Sequence, residues 1–303
     1  MFTNNKNKFH DQSINIILLL TSLMLVSLNV HAFNNEVEDE YKSEHKSKFF
    51  TPKSLKGEYV LIGKGDSQFT GPETVTGVIK FDGENNFSGN LSSNTGAALG
   101  ERVANGFSIS GTYSIEKSGR GVVIVSETNE SSIFVVTQAD YKSGVKKAST
   151  ISFVMDSLSA SGNLISGFIK SRERKHDYKM ESLNGDYGFI NEGLGGLDNA
   201  ISVGNVNFSA KTSIVGGDFT INVPVVPGQN ERMLFDFFSA GPYTVNSDGT
   251  GTTFSETTGG SSRFIITKSE SHKGRERATE IYFVPEFLDP VGNFSPAYMT
   301  RID

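Results

Sequence analysis

The sequence predicts an all-β chain of two tandem, antiparallel up-and-down barrels with about eight strands each; a two-sheet β-sandwich is the rival arrangement. Three observations lead there. A 33-residue stretch is written twice: Ser131 to Asn163 returns without a gap as Ser261 to Asn293, with 12 of 33 aligned positions identical, where ordinary composition gives about two. Apolar and polar residues alternate in short runs at spacings of roughly 10–15 residues. No segment carries the 3.6-residue period of an amphipathic helix. Short antiparallel strands with one apolar face are the material of a small barrel.

Taken in order, residues 1–32 read as a signal peptide. Lys6 and Lys8 precede an apolar core from Ile16 to Val30, and Val30-His31-Ala32 supplies a small-x-Ala cleavage pattern. Residues 33–53 are charged at nearly every second position and are expected to be a disordered leader. The chain contains no Cys, which excludes disulfides, thiol catalysis and a cysteine-linked lipid anchor. A formal charge of −6 argues against nucleic acid or an anionic membrane as partner. Export to the periplasm or beyond is the expected localisation, without stable membrane insertion.

Repeat one is placed at 54–170, a polar linker at 171–181 and repeat two at 182–303. The repeats open with Leu55-Lys56-Gly57-Glu58-Tyr59 and Leu183-Asn184-Gly185-Asp186-Tyr187. Val75, Gly77, Ile79 and Phe81 alternate up to Asp82-Gly83, a tight-hairpin signal because both central residues of that turn need positive φ. Phe87 to Leu91 reads as the returning strand, with Val215 to Val223 as its counterpart. Ser92 to Gly106 reads as a long loop. Phe107, Ile109, Gly111, Tyr113 and Ile115 then alternate, as do Phe237, Ser239, Gly241, Tyr243 and Val245. Gly111 and Gly241 suggest a bend or bulge within the strand. Val122 to Val125, Phe134 to Thr137, Ala148 to Met155 and Leu164 to Ile169 complete repeat one. Turns are expected at Asn129, Ser143-Gly144 and Ser161-Gly162.

This pattern resembles the calycin-type barrels, the lipocalins above all, and the tandem β-barrel repeats of secreted bacterial proteins. It consists of a Gly-x-Tyr opening strand, a Phe-Asp-Gly hairpin, a Gly-x-Tyr central strand before a glycine-rich turn, and a Gly-Asn before the last strand. The resemblance implies a cup for a small apolar molecule. It also implies that Arg172 and Arg301 pack over the opening aromatics Tyr59 and Tyr187, which stand where lipocalins have Trp.

Chemistry-bearing residues are sparse. His45, His176 and His272 fall in the leader, the linker and a hairpin turn, away from any core strand, and read as solvated. Asp82-Gly83-Glu84-Asn85-Asn86 begins like a calcium loop, but Ser93 stands where the bidentate Glu belongs, so turn chemistry is the better reading. Glu127 and Glu256 both sit in Ser-Glu-Thr and read as exposed strand ends rather than an acid–base pair. Arg275-Glu276-Arg277 and Lys146-Lys147 read as a solvated face. Neither a cofactor nor a metal is expected.

The candidate binding residues are the aromatics on alternating positions: Phe81, Phe107, Tyr113 and Phe153, and in the second copy Phe208, Phe237, Tyr243 and Phe283. Packed core is the default role for such residues, and an interior of eight strands can also hold one small ligand. The expected function is a non-enzymatic binding module for a small apolar ligand, held in a barrel or between the repeats. The alternatives are a structural or adhesive protein with a cell-surface partner, and an outer-membrane barrel using all the strands in one ring.

Overall fold

The computed structural model describes residues 48–65, 71–96, 102–156, 158, 164–172, 176–192, 201–225, 231–286 and 296–303. The segments read from the sequence as a signal peptide and, for the most part, as a leader with His45, and the expected Ser161-Gly162 turn, lie outside them. Among the described residues, sixteen strands form two closed rings of eight, each in simple sequence order. Barrel 1 comprises β1 (Gly57–Gly65), β2 (Glu73–Phe81), β3 (Asn86–Gly96), β4 (Arg102–Ile115), β5 (Arg120–Val125), β6 (Ser131–Lys142), β7 (Val145–Met155) and β8 (Ser166–Ser171). Barrel 2 comprises β9 (Gly185–Glu192), β10 (Ile201–Ser209), β11 (Ile214–Pro224), β12 (Arg232–Val245), β13 (Thr250–Phe254), β14 (Ser261–His272), β15 (Arg275–Pro285) and β16 (Ala297–Arg301). Antiparallel pairing of β1 with β8, and of β9 with β16, closes each ring. This excludes both the sandwich and the single sixteen-strand ring. Among the described residues, no helix is long and apolar enough to cross a membrane.

Each barrel is plugged at one end by the same device. In barrel 1 the Phe50 ring lies against Gly119 of the β4–β5 turn, and a 3-10 turn, Pro52–Leu55, drives Leu55 into the core. In barrel 2 the Tyr178 ring lies against Gly249, and a one-turn helix α1, Met180–Leu183, places Leu183 likewise. The ends of the segments read as leader and linker therefore seat the closed ends of the barrels. Lys147 donates to the carbonyls of Lys53 and Lys56 at 2.9 and 3.1 Å, which ties the first plug down. Glu276 is buried against Ser269 and the backbone N–H of His176. The solvated face expected at Arg275-Glu276-Arg277 is thus broken at its centre.

The turns and strands follow the residues with three corrections. Ser143-Gly144 and Lys273-Gly274 are two-residue turns with both φ values positive, as this hairpin type requires. The Asp82-Gly83 hairpin is longer than a two-residue turn: the positive φ values belong to Gly83 and Asn85. The Asp82 carboxylate accepts from the N–H groups of Glu84, Asn85 and Asn86 and from the Asn86 amide. Those donors hold its carboxyl far below the usual range, and they occupy the oxygens a calcium ion would need. Because the folded-state pKa is depressed, this contribution is present above about pH 4 and fades as the pH falls. Asp82→Asn should therefore flatten the acid limb of a stability-versus-pH curve, and an unchanged limb would count against the turn's role.

The second correction concerns Gly111 and Gly241, which sit in regular register rather than in bulges. A Cβ there would lie 2.0 Å from the Ile124 carbonyl oxygen or 1.7 Å from that of Phe254. The glycines permit close approach of neighbouring strands. The register irregularities fall instead near Thr137 and Thr267, at one place in both barrels. Ser92 to Gly96 and Arg102 to Gly106, read as parts of a loop, are strand: β3 and β4 run on as a ladder from Asn86↔Thr112 to Gly96↔Arg102, and the residues between lie outside those described.

The barrels pack side against side. Val60 and Ile62 on the outer face of β1, with Val78 and Phe168, meet Ile265, Tyr282, Val284 and Tyr298 of barrel 2. Burying such an apolar face on both partners contributes about 25 cal/mol per Å² removed from water. A Lys170–Glu280 ion pair at 3.0 Å and the Asn94 amide on the Pro285 carbonyl flank this patch.

Candidate ligand cups

Both interiors are organised around a repeated aromatic triad at the plugged end. Phe81 lies edge-on to Tyr59 at 5.4 Å and to Tyr113 at 5.0 Å; Phe208 lies edge-on to Tyr187 at 5.4 Å and to Tyr243 at 5.0 Å. Tyr59 and Tyr187 donate to the carbonyls of Ala148 and Ala278, while Tyr113 and Tyr243 donate to those of Pro52 and Met180. Burial pushes the Tyr113 and Tyr243 phenols up to about 12. They remain neutral donors at physiological pH.

Arg301 packs over the Tyr187 ring at 4.7 Å and donates to Ala278, Leu183, Asn184 and the Tyr187 hydroxyl, as the resemblance implies. Arg172 does not pack over Tyr59. Ser171 is the residue opposite Tyr59, whereas Arg301 itself is opposite Tyr187. One residue further along, Arg172 turns outward to Tyr178 and Glu58.

Above the triad, barrel 1 holds a cavity of about 540 Å³. Its wall is aliphatic and aromatic: Leu61, Val75, Ile79, Leu91, Ile109, Val123, Val125, Ile165 and Ile169, with Phe81, Phe87, Phe107, Phe134, Phe153 and Met155. Glu73, Glu127, Glu130, Ser93, Thr95, Ser108, Thr128 and Ser132 supply the polar part of the lining. The Ser110 hydroxyl and N–H donate to Glu127 at 2.8 and 3.1 Å and hold its carboxyl below the usual range. Barrel 2 holds a cavity of about 360 Å³ lined by Phe189, Phe219, Phe235, Phe237, Phe254, Phe283, Val206, Val215, Ile221 and Met299, with Asn191, Ser202, Ser239, Ser255, Thr258 and Ser262.

Of the eight sequence-derived candidates, Phe81, Phe107, Phe153, Phe237 and Phe283 border a cavity. Tyr113, Phe208 and Tyr243 belong to the packed floor. The aliphatic wall of barrel 1 and the carboxylates Glu73, Glu127 and Glu130 were missed as site residues. Glu127 and Glu256 are not equivalent: Ser126 and Glu256 make the matching backbone bonds to Ser110 and Ala240, so Thr257 corresponds to Glu127. A third hollow, of about 730 Å³, lies at the plugged end of barrel 2 among His176, Asp177, Glu181, Arg275 and Glu276. Among the described residues, no group of three or more His, Cys, Asp or Glu is placed to hold a metal.

The rings and their interiors define a tandem-barrel protein with two internal cups. No protein-family model matches the chain, and no curated protein matches it. Among solved structures it is similar to the haemoglobin receptor HpuA from Kingella denitrificans, both in complex with human haemoglobin (12% identity, 80% of this chain and 91% of that chain covered, TM-score 0.27) and in the apo form (12%, 80% and 90%, 0.28). It is also similar to kievitone hydratase from Nectria haematococca (8%, 87% and 94%, 0.27). TM-scores at this level are too low to carry a function across.

Proposed function

We propose that this chain is an exported, non-enzymatic binding module that holds a small apolar molecule inside barrel 1. The observation that carries the reading is the aliphatic cavity of about 540 Å³ above the Tyr59–Phe81–Tyr113 floor. Its size and lining suit a small-molecule site, mostly apolar with a few polar groups to orient the guest. Its carboxylates repel an anionic head, so the guest carries a neutral or cationic one. Export rests on the reading of residues 1–32.

The test is calorimetry with 1-dodecanol, 1-dodecylamine and dodecanoate on the full exported chain, alongside native mass spectrometry. The alcohol and the amine are expected to bind at one equivalent, and dodecanoate more weakly. Val125→Phe puts a ring into the cavity and should weaken the alcohol about tenfold or more. Equal binding by the folded variant would overturn the assignment to barrel 1. A second reading, contact with a cell-surface partner, is favoured by Met233, Leu234 and Phe238, which are exposed on β12. It predicts cell binding that survives filling of both cups.

A further inference from the structure

The two cups occupy matching places in the repeats but differ in wall chemistry. The cross-strand pair Leu91↔Phe107 of barrel 1 corresponds to Phe219↔Phe237 of barrel 2. Two residues along the inward face, Leu61 above Tyr59 corresponds to Phe189 above Tyr187, and Asn105 corresponds to Phe235. Barrel 2 has thus exchanged aliphatic and polar side chains for phenyl rings around one level of its wall.

Those rings are ordered against one another. Phe219 and Phe237 are stacked at 5.2 Å with planes 21° apart, and Phe189 meets Phe219 edge-on at 5.0 Å. Phe235 lies 6.2 Å from Phe237 at the outer end of the same strand face. Faces and edges of rings are thereby both offered to a guest, the two contacts that aromatic molecules prefer. The mouth differs as well. Glu127 and Glu130 of the first cup correspond to Thr257 and Gly260, and among the described residues no charged side chain lines the second cavity. A charged guest would be desolvated there without a partner, at high cost.

We infer that the interior of barrel 2 is a second binding site, selective for a neutral, planar aromatic molecule of about two or three rings. It is separate from the aliphatic cup and takes a different class of guest, so one chain carries two ligands of unlike chemistry. The inference shares with the proposed function the premise that a barrel interior is a ligand site, but it can stand or fall without barrel 1.

The experiment is a fluorescence titration of the full exported chain with N-phenyl-1-naphthylamine, a neutral aromatic probe that brightens in apolar surroundings. One equivalent is expected to bind. Phe219→Leu, which installs the residue barrel 1 already uses, should weaken the probe about tenfold, as should Phe235→Asn at the half-exposed rim. Both variants should bind 1-dodecanol as the parent does, while Val125→Phe should leave the probe unaffected. Absence of probe binding, loss of the probe in Val125→Phe, or unchanged affinity in both barrel 2 variants would overturn the second site. Failure of 1-dodecanol to bind, with the probe pattern intact, would overturn the barrel 1 reading alone.

Discussion

Phe208→Ala is expected to destabilise barrel 2 by about 3–5 kcal/mol, the range for truncating a buried phenyl ring. Phe208 is 1% exposed and touches three rings: Tyr187 at 5.4 Å, Tyr243 at 5.0 Å and Phe283 at 6.4 Å. How far neighbours can collapse into the vacated space sets the cost of such a truncation. Here they are held. The Tyr187 hydroxyl is bonded to Ala278 at 3.0 Å and to Arg301 at 2.8 Å, and the Tyr243 hydroxyl to Met180. A move into the hole would break those bonds in a buried setting, so the upper part of the range is expected. Phe81→Ala should cost barrel 1 a similar amount, because Tyr59 and Tyr113 are tethered in the same way. Urea unfolding followed by far-ultraviolet circular dichroism measures both, with Phe208→Leu as a milder control below about 1.5 kcal/mol. A loss under about 1.5 kcal/mol for Phe208→Ala would mean that the triad is not the foundation of the closed end.

Much of this architecture is legible in the residues. The duplicated stretch from Ser131 implies two units, and period-2 alternation places Phe81, Phe107 and Phe153 on the inward face. Alternation does not give height along the barrel axis, which depends on register between strands far apart in sequence. Tyr113, Phe208 and Tyr243 therefore face inward as read but lie in the floor instead of the cup wall. The outer part of the β3–β4 ladder is hard to read because Ser92 to Gly96 is polar on both faces: main-chain pairing with Arg102 to Gly106 holds it, and no side-chain period announces it. The inter-barrel face did leave a signal. Tyr59-Val60-Leu61-Ile62 and Ile281-Tyr282-Phe283-Val284 are unbroken apolar runs, the mark of a strand buried on both faces. In barrel 1 the run matching the second has Ser152 where barrel 2 has Tyr282, and Val154 is left exposed. A one-residue difference in offset conceals the Glu127 correspondence, since matching Ser-Glu-Thr to itself puts Glu256 where Thr257 belongs.

Arg172→Ala is expected to cost about 2–4 kcal/mol and to loosen one barrel from the other. The Arg172 side chain has no exposed surface, although it leaves the end of β8 at the junction of the repeats. Its Nε and Nη2 donate to Glu58 Oε1 at 3.0 and 2.6 Å in barrel 1; its Nη1 donates to the Ile266 carbonyl at 3.3 Å in barrel 2. The guanidinium also lies 5.5 Å from the centre of the Tyr178 ring, which seals the second plug. One side chain therefore joins β1, β14 and the segment between the barrels. Truncation leaves Glu58 without this partner and removes a buried stem that fills the junction. Glu58 is partly exposed, so water recovers some of the lost solvation, and the cost stays below that of a fully buried pair. Arg172→Lys should recover little, because a single ammonium cannot span a carboxylate, a carbonyl and a ring face together. If the junction couples the barrels, the parent should unfold in one transition and Arg172→Ala in two, with barrel 2 the first to melt because its plug has lost the guanidinium over Tyr178. Differential scanning calorimetry reads both the number and the order of transitions. A single transition shifted by less than about 1 kcal/mol would make Arg172 a passenger at the junction and leave the coupling to the apolar patch around Ile62, Ile265 and Tyr282.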